Sequence, residues 1–222
     1  KSVHKSLNTL FQLYQTLKEL RAKRHAMEFE TIETYMTFDE LGGIKEILPR
    51  TRNDAHKLIE ECMLLANVAA AEYSLEHDIP MLYRVHEAPE FSRIQKVRDF
   101  VKLLGLPFPE QPTQADYQAV IEATKDRLDA PSIHAVLLRS MMQAYYGANN
   151  AGHYGLAYEA YTHFTSPIRR YPDLLLHRAI KAYLDKKAYP LSGAALDDAG
   201  EHFSQTERRA DEASRSVTTW LK

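Results

Sequence analysis

A mainly helical α+β chain, with long helices packed on a small β-sheet, is the fold class the sequence predicts, and three observations predict it. Apolar residues recur at spacings of three and four over most of the 222 residues, as amphipathic helices require. One stretch, 26–48, is instead rich in β-branched and aromatic residues around a Gly-Gly pair. A hydrophobic content of 45% suffices to bury a sizeable core, in one large domain or two small ones.

Taken in order, Leu7, Leu10, Phe11, Tyr14, Leu17 and Leu20 mark a first amphipathic helix, whose basic end at Lys18 to Arg24 favours the helix dipole. The stretch 26–48, with Gly42 and Gly43 between two short runs, predicts a small antiparallel β-element. From Asn53 to Glu76 the positions Ala55, Leu58, Ile59, Cys62, Leu65, Ala66 and Ala69 follow a second helix, with His56, Glu60 and Asn67 along its polar side. A short strand is expected at Met81 to Val85. Helices are expected at Pro89 to Leu104, Gln114 to Lys125 and Ser132 to Tyr145, with a loop at Pro107 to Pro112. A turn at Gly147 to Gly152 then precedes a strand at Leu156 to His163, a helix from Pro167 to about Lys186, and a last helix from Asp197 to Leu221 with the stripe Phe203, Ala210, Ala213, Val217 and Trp220. There is no internal repeat.

Composition narrows the function classes. No run of eighteen apolar residues occurs, so nothing places the chain through a membrane, and a cytoplasmic location is the expectation. The single cysteine, Cys62, sits in an apolar helical stripe and reads as packing; with one cysteine, neither an internal disulfide nor a cysteine-based zinc site is possible. A formal charge of −2 argues against coating nucleic acid with the whole surface. Any binding of RNA must then rest on local clusters such as Arg169 with Arg170, or Arg208, Arg209 and Arg215.

The segment His153 to His177, HYGLAYEAYTHFTSPIRRYPDLLLH, is the most unusual in the chain. Ser166 followed by Pro167 signals a helix start, which would bring free amides and the positive helix end together with Arg169 and Arg170 where an anion would sit. Arginine suits a phosphodiester because its planar fork donates two hydrogen bonds to phosphate oxygens. Spacing alone leaves another reading open: Arg169, Asp173 and His177 lie at four-residue steps, as in an ordinary surface ladder. Likewise Tyr154, Tyr158, Tyr161 and Phe164 are either base-stacking platforms or core residues.

On these residues the run resembles the signature of the ribonuclease II/R family, from His153, Tyr154, Gly155 and Leu156 through Ser166, Pro167, Ile168, Arg169, Arg170 and Tyr171 to Asp173 and His177. RNDAHKLIEECMLLAN, Arg52 to Asn67, resembles the family's long helix, and ERRADEASRSVTTWLK, Glu207 to Lys222, the helix that ends its catalytic domain; the ribonuclease R branch is the nearer one. The resemblance implies a processive 3′-to-5′ exoribonuclease that hydrolyses single-stranded RNA to nucleoside 5′-monophosphates with Mg²⁺. It implies that Arg169 holds the phosphate next to the scissile bond and that Glu60, chosen over Glu61 by the resemblance alone, helps fix the terminal nucleotide. Asn67, Tyr161, Thr165, Ser166 and Arg170 are the implied RNA-contacting neighbours. His56 has no second ligand at a recognised metal spacing.

One departure matters. The family's closely spaced aspartates, which hold its Mg²⁺, have no counterpart in this sequence, nor do the OB-type RNA-binding domains that flank the catalytic domain. The chain is therefore expected to be the C-terminal two-thirds of an RNB-type catalytic domain, residues 1–222, lacking metal ligands and inactive by itself. Its expected partners are RNA with a single-stranded 3′ end and the rest of that protein. A non-catalytic RNA-binding module and a helical interaction scaffold are the competing expectations.

Overall fold

The structure, a computed structural model, describes residues 2–29, 34–189 and 191–221. Seven helices and four short strands account for it: α1 (Ser2–Lys23), β1 (Thr34–Phe38), β2 (Ile44–Pro49), α2 (Asp54–Glu76), β3 (Tyr83–Val85), α3 (Phe91–Leu103), α4 (Gln114–Thr124), α5 (Ala130–Ser140), β4 (Tyr145–Gly147), α6 (Tyr171–Leu184) and α7 (Ala194–Leu221). The mainly helical α+β class is what the chain adopts.

β1 and β2 form an antiparallel hairpin whose turn takes Gly42 at φ 81°, with Asp39 accepting the amide hydrogens of Leu41 and Gly43. Residues 30–33 of the expected β-element lie outside the described residues, as does Lys222 at the end of the run ERRADEASRSVTTWLK. A second antiparallel pair is β3 with β4. Three apolar clusters form the core, two of them built partly on this pair. Val97, Tyr117, Ile133 and Leu137 join α3, α4 and α5; Ala71, Val85 and Leu176 join α2, β3 and α6; Leu82, Tyr146, Leu175 and Leu196 tie α6 and α7 to the sheet. Gly200 lets α7 lie against β4, since a Cβ there would meet the Tyr146 carbonyl oxygen at 2.8 Å.

Four expectations require correction. The buried face of α2 is Glu61, Leu64, Asn67, Ala70, Ala71 and Ser74, while Ile59 and Leu65 of the apolar stripe are exposed. The reason is that α2 meets its neighbours through an ion pair and hydrogen bonds as much as through apolar contact. The helix expected to reach Tyr145 ends at Ser140: Met141 is extended, and Tyr145 and Tyr146 enter β4 instead. No strand forms at 156–163. The chain makes a 3₁₀ turn at Tyr154–Leu156, passes through left-handed Ala157, and follows β3 by single bridges such as Tyr83 with Thr162. Finally, Ser166–Pro167 opens a turn and not a helix. Arg169 and Arg170 both donate their amide hydrogens to the Ser166 carbonyl, Arg170 is extended, and α6 begins at Tyr171 with Pro172 in its first turn.

Candidate functional site

The segment that carries the motif is held by two buried side chains. Asn67, 2% exposed on α2, accepts the amide hydrogens of Phe164 at 2.9 Å and Thr165 at 3.2 Å and donates to the Tyr161 hydroxyl at 2.9 Å. Asp173, fully buried in the first turn of α6, accepts the Ser166 amide hydrogen and an Arg170 guanidinium hydrogen on one oxygen, each at 2.8 Å. Phe164 is fixed further: His177 donates to its carbonyl oxygen at 2.9 Å and stacks on its ring, with centroids 4.1 Å apart. Residues 161–170 are thus clamped from α2 on one side and from α6 on the other. The second oxygen of Asp173, the Arg170 Nε and the Thr165 hydroxyl are buried without hydrogen-bond partners among the described residues.

The clamp separates the two arginines. Arg170 has a side chain only 18% exposed and is paired with Asp173, whereas Arg169 is exposed on the turn, with no ion pair among the described residues. The surface ladder of Arg169, Asp173 and His177, the alternative that spacing left open, does not form: Asp173 pairs with Arg170 and His177 bonds the Phe164 carbonyl. Nor does Arg169 stand on a helix N-terminus, because the helix starts two residues after it. What the turn presents is a guanidinium ahead of a helix whose own first turn is occupied by a carboxylate.

Glu60 belongs to a different cluster. Arg21 of α1 donates from one nitrogen to Glu60 at 3.2 Å and to Glu61 at 2.7 Å, and Arg52 pairs with the other Glu60 oxygen. Glu61 is buried; Glu60 is partly exposed and lines a groove of about 630 Å³ among α1, α2 and α4, together with Lys18, Arg21 and Lys57. Arg169 does not line that groove. Glu60 and Asn67 are seven residues apart on α2, so they share a side of the helix about 10 Å apart along its axis. His56 is used as a cap, its ring exchanging contacts with Asn53 at the start of α2.

Next to the clamp lies an aromatic and imidazole network in which Tyr161 and Tyr146 are buried and His153, Tyr158 and His163 are half-buried. Tyr158 and Tyr161 stack at 5.7 Å, His153 packs edge-on to Tyr161, and His163 hydrogen-bonds the Tyr146 hydroxyl at 2.8 Å. Burial, reinforced by His86 and Arg84, pushes His153 down to about 3. Burial with the charges of Arg170 and Arg84 pushes His163 down to about 2. Both rings are therefore neutral at ordinary pH. Burial also lowers His86, which accepts from the Gly155 amide at Nδ1 and donates from Nε2 to the Met142 carbonyl.

Residues 1–186 match the family described as the RNB domain. The chain belongs to the RNB family. Ribonuclease R of Vibrio parahaemolyticus is 48% identical over 97% of the chain, which spans 28% of that protein's length. Among solved structures, RNase R of Mycoplasma genitalium in complex with ribose-methylated single-stranded RNA superposes with a TM-score of 0.90 at 27% identity, over 99% of this chain and 36% of that one. Yeast Ssd1, a pseudonuclease, gives a TM-score of 0.61 at 27% identity over 69% of this chain and 20% of its own. The RNB chain thus spans about three-tenths of the curated relatives it matches.

Sequence reading of this RNB chain missed two residues that organise the site. Asp173 stood out as a position of the resembled signature and as a rung of a ladder but was given no role, and Arg21 was one of several cations at a helix end. The spacing that places Asp173 three residues after Arg170 was the available signal. No helix among the described residues is long and apolar enough to cross a membrane. No three His, Cys, Asp or Glu side chains among them are grouped to hold a metal ion, so the described residues do not fit an Mg²⁺ site.

Proposed function

We propose that this chain is the C-terminal two-thirds of the catalytic domain of a cytoplasmic 3′-to-5′ exoribonuclease that hydrolyses single-stranded RNA, and that it supplies the phosphate grip of that enzyme. The observation that carries the reading is the clamped turn 166–170 with Arg169 exposed on it. Holding the turn from α6 through Asp173, just after the residues 164–165 that Asn67 holds, lets the guanidinium meet a phosphate at a lower ordering cost, the usual advantage of a preorganised donor. Thr165, Ser166 and Arg170 shape the same surface, while Asn67 and Tyr161 act from beneath it. Glu60, held by Arg21 and Arg52, borders a separate groove on the same side of α2, where it contacts the terminal nucleotide in this reading.

The Mg²⁺ required for hydrolysis belongs, in the same reading, to aspartates outside this chain; a bound cation lowers the pKa of the attacking water and offsets charge on the phosphate. The exposed apolar residues Leu7, Leu10 and Phe11 of α1 and Val217 and Trp220 of α7 suit packing against the remainder of the protein, including its RNA-feeding domains. The likeness to a pseudonuclease favours one further reading, RNA binding without cleavage.

Labelled single-stranded RNA decides between them. With Mg²⁺, this chain alone is expected to leave the RNA intact, and the full-length protein that contains it to release 5′-monophosphates, with a loss of a hundredfold or more on Arg169→Ala (on the order of the effect of removing one transition-state donor). Hydrolysis by the chain alone, abolished by Arg169→Ala, overturns the assignment of the metal ligands to another segment. A full-length protein that binds RNA and never cleaves it establishes the non-catalytic reading.

A further inference from the structure

Asp173 has no assigned part in the proposed reaction, yet its contacts are those of a residue that positions another. It is fully buried, and one of its oxygens ties together the Ser166 backbone at the start of the Ser166–Arg170 turn and the Arg170 side chain at its end, where the Arg170 carbonyl also accepts the Leu174 amide hydrogen of α6. Between those points lie Pro167, Ile168 and Arg169. Ile168 and Arg169 are both exposed, so packing does not fix them. Among the described residues the backbone restraints within the turn are the two bonds from Arg169 and Arg170 to the Ser166 carbonyl, and that residue is the one Asp173 anchors.

We propose that Asp173 is the positioning residue for Arg169: its carboxylate closes the Ser166–Arg170 turn and so fixes the direction in which the Arg169 guanidinium meets the RNA phosphate. The proposal rests on the reading of Arg169 as the phosphate grip. Charge and shape have separable parts in it. An amide in place of the carboxylate keeps an oxygen for the Ser166 amide while weakening the hold on Arg170, and alanine removes both.

The test is a double-mutant cycle in the full-length protein that contains this chain, using Asp173→Ala, Asp173→Asn, Arg169→Ala and the combined Asp173→Asn/Arg169→Ala. Turnover and KM on single-stranded RNA are read, with melting curves to select folded variants. Asp173→Asn is expected to lower kcat about tenfold with KM changed less than threefold, Asp173→Ala to lower it further, and the combined variant to be no slower than Arg169→Ala alone. A residue with a merely structural role gives multiplying losses in the combined variant, and that result overturns the proposal. So does full activity of Asp173→Asn beside a crippled Arg169→Ala. If Arg169→Ala is itself fully active, the underlying reading of Arg169 fails and the proposal with it. A crystal structure of Asp173→Asn or Asp173→Ala with residues 166–170 unmoved also overturns it, whatever the kinetics.

Discussion

Arg170 neutralises a buried carboxylate while Arg169 beside it faces solvent, so one substitution is expected to give different results at the two positions. Arg170→Ala leaves the Asp173 charge buried and unpaired, and should destabilise the fold by about 3–5 kcal/mol in urea titration. Arg169→Ala should stay within about 0.5 kcal/mol of the parent chain. Equal effects contradict the division of labour. Asn67→Ala strands the amides of Phe164 and Thr165 and the Tyr161 hydroxyl, and should cost about 2 kcal/mol or more by the same titration. The imidazoles set a pH dependence. Folded His153 and His163 lie near 3 and 2, below the ordinary 6.5, so as pH falls the unfolded chain binds protons that the folded chain refuses. The stability that goes with neutral rings is complete above about pH 6.5 and is lost below it, by about 1 kcal/mol per pH unit for each ring. Denaturation midpoints between pH 7 and 4 check this. A flat profile contradicts the lowered pKa of both rings.

At the scale of elements, periodicity located what periodicity governs. Helices α1 to α4 and α7 lie close to where apolar spacing puts them, and the Gly-Gly hairpin forms around Gly42. The failures cluster in 141–171, where tertiary bonds and not spacing decide the backbone. Tyr154, Tyr158 and Tyr161 resemble strand residues by type, but the left-handed Ala157 and the pull of Asn67 on Phe164 and Thr165 turn the chain away from a ladder. Ser166 has the residue type of a cap, but its amide is taken by Asp173 seven residues on, a contact invisible to any local rule. The site was legible as a motif and not as a geometry: Arg169 stood out by sequence, whereas its inequivalence to Arg170 needed the burial of Asp173. Helix α7 offers its own test. Gly200→Ala forces a Cβ against the backbone of β4, and should destabilise by about 1–3 kcal/mol in urea titration. An unchanged midpoint would show that α7 does not pack as closely as described.

At the scale of the whole molecule, three apolar clusters form a scaffold, two of them built partly on the strand pair β3 and β4, and the candidate site lies where α2, the motif segment and α6 meet. The two ends of the described chain differ from this middle. Most of α1 faces solvent, and the last turns of α7 are exposed through Trp220, which is 83% accessible. With a net charge of −2, the molecule has no general attraction for a polyanion, so binding must be local and few-contact. In the proposed function the clamped turn grips phosphate through Arg169. The most direct measurement is the affinity of this chain for a fluorescein-labelled single-stranded RNA, by anisotropy, without metal and over a range of salt concentrations. The account predicts salt-sensitive binding that Arg169→Ala weakens alike for all sequences, with the slope of log affinity against log salt reduced by about 0.7, the single-strand value for one lost phosphate contact. An Arg169→Ala variant with the same affinity and the same slope as the parent chain contradicts it.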